Sequence, residues 1–131
     1  MVAHAIVAND EHPSWPIKLG YKGVAEASWP PIPDDGAQAV KVTFISQKVK
    51  DAAGTKVTNA AAKTSQCAIV NRATRLVRKD FAAGQYPNAD VGEHEVQWQI
   101  TYPDGTSETW PGPGEFDTLT VGRDLDNGTV A

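Results

Sequence analysis

Between positions 94 and 102 the chain alternates with a period of two. His94, Val96, Trp98, Ile100 and Tyr102 fall on one side, and Glu95, Gln97, Gln99 and Thr101 on the other. Successive side chains of a strand point to opposite faces, so this run predicts a strand with one buried and one wet face. Tyr102-Pro103-Asp104-Gly105 follows at once. Proline presets φ at the second turn position, and glycine accepts a left-handed backbone at the fourth. The chain then returns through polar residues 106–109 to Trp110, passes a Gly/Pro stretch, and ends its patterned part in a strand over 116–121. The segment describes an antiparallel β-domain with no obvious reactive centre.

The remaining turn signals extend that pattern. Residues 2–8 are a short apolar run, readable as a first strand or as a docking arm. Residues 9–16 are turn-rich and break it. Residues 17–25 predict a strand with Ile17, Leu19 and Tyr21 on one side, weakened by Gly20 and Gly23. Residues 28–36, SWPPIPDDG, exclude helix and inner strand through their prolines and predict an extended surface loop. Residues 38–46 predict a clear strand with Val40, Val42 and Phe44 together. Gly54 is the turn residue of the next connection. Residues 57–62 have no assignable structure. Residues 66–71 read as a short apolar strand, and 72–79 as its partner or one helical turn. Residues 80–90 read as irregular.

About seven short strands at near-regular spacing predict an all-β, immunoglobulin-like antiparallel sandwich with extended terminal arms. The expected organisation is an N-terminal arm over 1–16, the sandwich over 17–121 and a polar tail over 122–131. The expected core comprises Val40, Val42, Phe44, Ile69, Val96, Trp98, Ile100, Leu119 and Val121.

At 131 residues the chain is one domain by length, and such a domain buries roughly two-thirds of its unfolded surface. Its net charge of −4 disfavours nucleic acid, whose non-specific binders carry a basic excess. The single cysteine, Cys67, excludes an intrachain disulfide and a Cys-based zinc site. It reads as a small buried hydrophobe rather than a nucleophile. Neither a signal peptide nor a membrane helix is expected. The chain reads as soluble and made in a cytosol.

Candidate chemistry is sparse. His94 is flanked by Glu93 and Glu95, but strand neighbours face opposite ways, so it reads as a satisfied histidine rather than a metal ligand. Residues 124–128, DLDNG, lack the later liganding positions of a calcium loop. Asn127-Gly128-Thr129 matches a glycosylation acceptor without other signs of secretion. Arg72, Arg75, Arg78 and Lys79 form either a solvated face or a patch for an acidic protein partner. Trp15 and Trp29 adjoin prolines, and read as plugs over the sandwich or as interface anchors. No nucleophile elbow, phosphate loop or paired-carboxylate motif occurs. No catalytic residue, metal or cofactor is expected.

Residues 38–46 (QAVKVTFIS), 51–57 (DAAGTKV), 67–70 (CAIV), 92–111 (GEHEVQWQITYPDGTSETWP) and 115–121 (EFDTLTV) together resemble a known family. It is the small immunoglobulin-like domain at the N-terminus of phage baseplate upper proteins, with its stand-alone relatives among phage virion genes. The likeness spans roughly 17–121 and lies in pattern. The chain departs from it in the proline/tryptophan loop and the longer N-terminal segment. The resemblance implies a non-enzymatic virion component, made in the bacterial host cytoplasm and attached to the capsid or to the tail baseplate. Its partners would be other virion proteins or further copies of itself, with no membrane. The expected contacts are Trp15, Trp29, Ile32, Arg72, Arg75 and Arg78. Two alternatives stand beside it: a carbohydrate- or host-surface-binding module using Trp15, Trp29 and Trp110, and a small hydrolase using His94 or Asp104.

Overall fold

The computed structural model describes residues 2–8, 14–21, 23–33, 40–82, 84–112 and 114–123. Among them are β1 (Ala3–Val7), β2 (Ser14–Lys18), β3 (Lys41–Asp51), β4 (Lys63–Gln66), β5 (Ala68–Asn71), β6 (Leu76–Asp80), β7 (Gly92–Thr101), β8 (Ser107–Trp110) and β9 (Asp117–Gly122). One sheet has the order β1-β9-β7-β3-β4, with β8 also on β7; the other is β2-β6-β5. Every pairing is antiparallel except that of β1 with β9. The chain is an all-β sandwich, and its strand order is immunoglobulin-like, as the turn spacing predicted.

The hairpin follows the alternation that predicted it. His94, Val96, Trp98 and Ile100 are buried, while their neighbours keep partial exposure. At the turn, Gly105 has φ +88° and its N–H donates to Tyr102 O at 3.0 Å. Asp104 Oδ1 accepts from Thr106 N at 2.9 Å and from Thr106 Oγ1 at 2.6 Å. Those bonds hold the Asp104 carboxyl below its ordinary range.

Beyond the turn the return strand is interrupted. Trp110 of β8 lies opposite Trp98, and Asp117 of β9 lies opposite Val96. Residues 111, 112 and 114–116 therefore lie off the ladder where it would need one residue, opposite Gln97. The Gly/Pro stretch opens this excursion, with a cis Trp110–Pro111 bond at its start.

Trp15 of β2 meets Trp98 of β7 edge-on at 5.1 Å, and Phe44 of β3 packs against both, 6.0 Å from Trp15 and 4.9 Å from Trp98. In antibody domains the second strand and the penultimate core strand carry the inter-sheet disulfide, with a tryptophan packed on it from the third. Here an aromatic pair and a phenylalanine occupy those strands. The other expected core residues are buried too, except Ile69, which packs partly buried against the cluster.

Several boundaries differ from expectation. Of the two readings of residues 2–8, the strand is the one formed: Ile6 and Ala8 are buried, and β1 is part of the sheet, not an arm. The second strand starts at Ser14 and stops at Lys18, not over 17–25. Pro16 sits within it because β2 is an edge, where a missing N–H costs no ladder bond. The chain leaves the sheet at Leu19, turns with Val24 N–H on Tyr21 O, and forms a 3-10 turn at Glu26–Ser28. Residues 66–71 are not one strand. Cys67 is the corner: its N–H still donates to Val42 O at 2.8 Å, while residue 68 onward belongs to the other sheet. Residues 72–75 are a turn and β6 follows, so the helical alternative fails. The calcium-loop-like and glycosylation-acceptor sequences over 124–129, most of the 122–131 tail, His12 and residues 34–39 lie outside the described residues.

Candidate binding surface

The turn after β5 builds a buried polar arrangement around one arginine. Arg75 has φ +60° and only 1% exposure. Its Nε donates to Leu19 O at 2.5 Å and its Nη1 to Pro30 O at 2.9 Å. The guanidinium lies 5.0 Å from the Tyr21 ring centre and 5.3 Å from that of Trp110. A planar cation with several fixed donors suits such a site in a way an ammonium does not. Tyr21 and Tyr102 both donate to Glu108, to Oε2 at 2.9 Å and to Oε1 at 2.5 Å. Burial first, and that carboxylate second, push the Tyr102 phenol up to about 12.

This arrangement anchors the proline/tryptophan loop. Ile32 N–H donates to Arg72 O at 2.9 Å, Arg72 Nη1 donates to Pro33 O, and the Ile32 side chain is buried. Trp29 lies flat over Gly20, where an added Cβ would come within 2.1 Å of the indole. Its Nε1 donates to Val24 O at 3.0 Å. Trp110 Nε1 donates to Gly20 O at 2.7 Å. Between these elements runs an open cleft of about 320 Å³, lined by Val2, Ile17, Tyr21, Trp29, Trp110 and Pro111 among others.

The expected contact residues are thus redistributed. Trp15 is a plug in the core, 3% exposed, and not an interface anchor. Ile32 is buried for the reason just given. The basic run is not a patch, because its members point different ways. Arg75 turns inward. In β6, Lys79 shares the inward face with Val77, while Arg78 faces outward. Arg78 forms a forked pair with Asp80, Nε to Oδ1 at 2.7 Å and Nη2 to Oδ2 at 3.1 Å. Of the six residues, Trp29, Arg72 and Arg78 keep partial exposure. Trp110, offered to sugars by the carbohydrate reading, is 9% exposed.

Lys79, part of the basic run in the sequence, lies in the core. Its Nζ lies 5.5 Å from the Phe44 ring centre and 5.3 Å from that of Phe81, and donates to Gln85 Oε1 at 2.8 Å. Burial lowers its pKa. The signal available in sequence was the alternation Val77, Lys79, Phe81, which places the lysine on the inward face. Nearby Cys67 is buried, and desolvation pushes its thiol up to about 12. A thiol so protonated is a poor nucleophile.

His94 is a buried core histidine, bonded at one ring nitrogen. Its Nε2 donates to Asp90 O at 2.8 Å, and its buried Nδ1 has no partner. The ring meets Tyr86 edge-on at 5.6 Å, and Tyr86 OH shares a 2.6 Å hydrogen bond with Ser46 Oγ. No group of three potential metal ligands occurs among the described residues. Asp117, buried at the start of β9, accepts from Val2 N at 2.8 Å and from Trp98 Nε1 at 3.0 Å. No helix among the described residues is long and apolar enough to cross a membrane. No family model, curated protein or solved structure matches the chain.

Proposed function

We propose that the chain is a non-enzymatic structural module of a phage virion, a rigid sandwich that docks onto capsid or tail-baseplate proteins. The observation that carries this reading is the employment of the chemistry-bearing side chains within the fold. Arg75 grips two carbonyls, Lys79 a glutamine, His94 a carbonyl, and Asp117 a backbone amide and an indole. The bonds of Arg75, Lys79 and His94 tie turns and strands to neighbouring loops, and those of Asp117 tie β9 to β7 and to the residue before β1. Among the exposed residues are four apolar ones suited to contact: Val2, Val7, Val24 and Val70 are each 40% exposed or more. The pattern resemblance of residues 17–121 to phage immunoglobulin-like domains supplies the setting. Mass spectrometry of purified particles from cells expressing the phage genome tests it. Peptides of this chain at a fixed ratio to the major structural proteins are expected; particles free of it would refute the reading.

The cleft beside Trp29 favours a second reading, in which the module holds a host glycan against that ring. Glycan-array binding that disappears in Trp29→Ala, with the fold retained, would establish it. An array without signal would remove it.

A further inference from the structure

Edge strands invite pairing by other chains, and proteins blunt them with charge, proline or irregular register. Among the described residues, three of the four strands that end the two sheets, β1, β4, β2 and β5, carry such a device. β2 has Pro16 and Lys18, β4 begins at Lys63, and β5 shifts register against β6 between Ile69 and Asn71. β1 has none. Val2 to Ala8 reads VAHAIVA, without a single acidic or basic lysine-type charge, in a chain of net charge −4.

The hydrogen-bond pattern shows which groups that edge offers. Thr118 N–H donates to Val2 O, and Ala8 N–H donates to Gly122 O. With the parallel register Ala3 opposite Thr118 through Val7 opposite Gly122, the even-numbered residues of β1 bond to β9. The peptide groups of Ala3, Ala5 and Val7 therefore point off the sheet, since alternate residues of a parallel strand bond to opposite sides. All three residues are exposed, and among the described residues no strand pairs with β1 on that side. The side chains of His4 and Ile6 face inward, so only Ala3, Ala5 and Val7 border the outer face.

We propose that β1 pairs antiparallel with β1 of a second copy of this chain, about a twofold axis at Ala5. Self-pairing requires a self-complementary edge, and this edge is one. Centred on Ala5, Ala3 lies opposite Val7 and Ala5 opposite Ala5. The outward N–H and C=O groups of all three residues then meet as hydrogen-bonded pairs. On the outer face the side chains brought together are alanine and valine, with no like charges opposed. The two larger sheets become one continuous sheet across the axis. This pairing is a property of the chain alone and stands or falls separately from the virion reading.

Sedimentation velocity from dilute to concentrated solution tests it, with Ala5→Lys and Ala5→Glu as probes. The Ala5 side chain is exposed, and circular dichroism checks that each variant folds. Wild type is expected to dimerise as concentration rises. Each variant opposes two like charges at the axis and should weaken the dimer by about tenfold or more. An equimolar mixture of the two should restore it, because lysine then faces glutamate. Amide exchange adds a readout without mutation: protection of Ala3, Ala5 and Val7 should grow with concentration. A wild type that stays monomeric, variants that dimerise as well as wild type, or a mixture that restores nothing would each overturn the proposal.

Discussion

Arg75 and Leu19 hold each other from both sides. Leu19 N–H donates to Arg75 O at 3.0 Å, and Arg75 Nε donates back to Leu19 O at 2.5 Å. The bond joins the chain leaving β2 to the turn entering β6, and Arg75 Nη1 adds Pro30 to the same knot. Truncating a buried charged donor strands the acceptors it served. Arg75→Ala is expected to lose about 3 kcal/mol in urea unfolding. Arg75→Lys should recover little, because one ammonium cannot reproduce the fork or stack on Tyr21 and Trp110. Full rescue by lysine would show that the charge alone matters there.

Trp15 closes the sandwich against Trp98 and Phe44. Trp15→Ala should destabilise by about 3–5 kcal/mol, measured by the same unfolding experiment. Trp15→Phe should cost much less, since it keeps an aromatic edge in the same space. Were Trp15 an interface residue, Trp15→Ala would leave the isolated chain's stability unchanged.

Gly20 is fixed by the indole above it and not by an unusual φ. Gly20→Ala would place a Cβ within 2.1 Å of Trp29, so the ring must lift or the loop must move. The Trp29 indole N–H, bonded to Val24 O, should shift in its nitrogen–proton correlation spectrum. The indole signal of Trp98, bonded to Asp117, should stay where it is. An unmoved Trp29 signal would contradict the placement of the loop.

His94 makes stability depend on pH. Burial is the main cause that lowers its pKa below the ordinary 6.5, opposed by its bond to Asp90 O; Lys48 and Lys63 add to the lowering and the Asp90 carboxylate opposes it. His4, stacked on Trp15, is lowered by burial as well. A histidine with a depressed native pKa binds its proton more readily unfolded. The stability it supports is full above about 6.5 and is lost as pH falls from there through the native value. Protonation would also put an N–H on Nδ1 of His94, which is buried without an acceptor. Unfolding free energy should fall between about pH 7 and about pH 5, and His94→Gln should flatten part of that slope. A level wild-type profile over this range would contradict the burial of both rings.

Cys67 should be silent toward thiol reagents in the native state, because burial keeps its thiol protonated up to about 12. Reaction should appear in denaturant, at a rate that tracks unfolding. Prompt labelling of the folded protein would mean that the corner between β4 and β5 opens.

What was legible in the sequence was local. The alternation from His94 to Tyr102 and the turn at Asp104-Gly105 encode their own geometry, and the hairpin forms where they say. Pro16 misled because proline breaks inner strands but not edges, and only the assembled sheet shows which strand is an edge. The Cys67 corner carries no turn residue; the strand changes sheets because the two sheets separate there. Arg75 and Lys79 looked like a surface run because their partners are remote. Leu19 and Pro30 surround the first, Phe44 and Gln85 the second, and nothing in residues 72–79 names them. The interruption between β8 and β9 was visible as PGPG, but its position opposite Gln97 follows only from the register.

The proposed docking of the sandwich on a virion can be seen or refuted by electron cryomicroscopy of purified particles with and without the gene. Density of this two-sheet shape is expected on capsid or baseplate in the intact particles, and its loss when the gene is deleted. Identical maps from both preparations would contradict it.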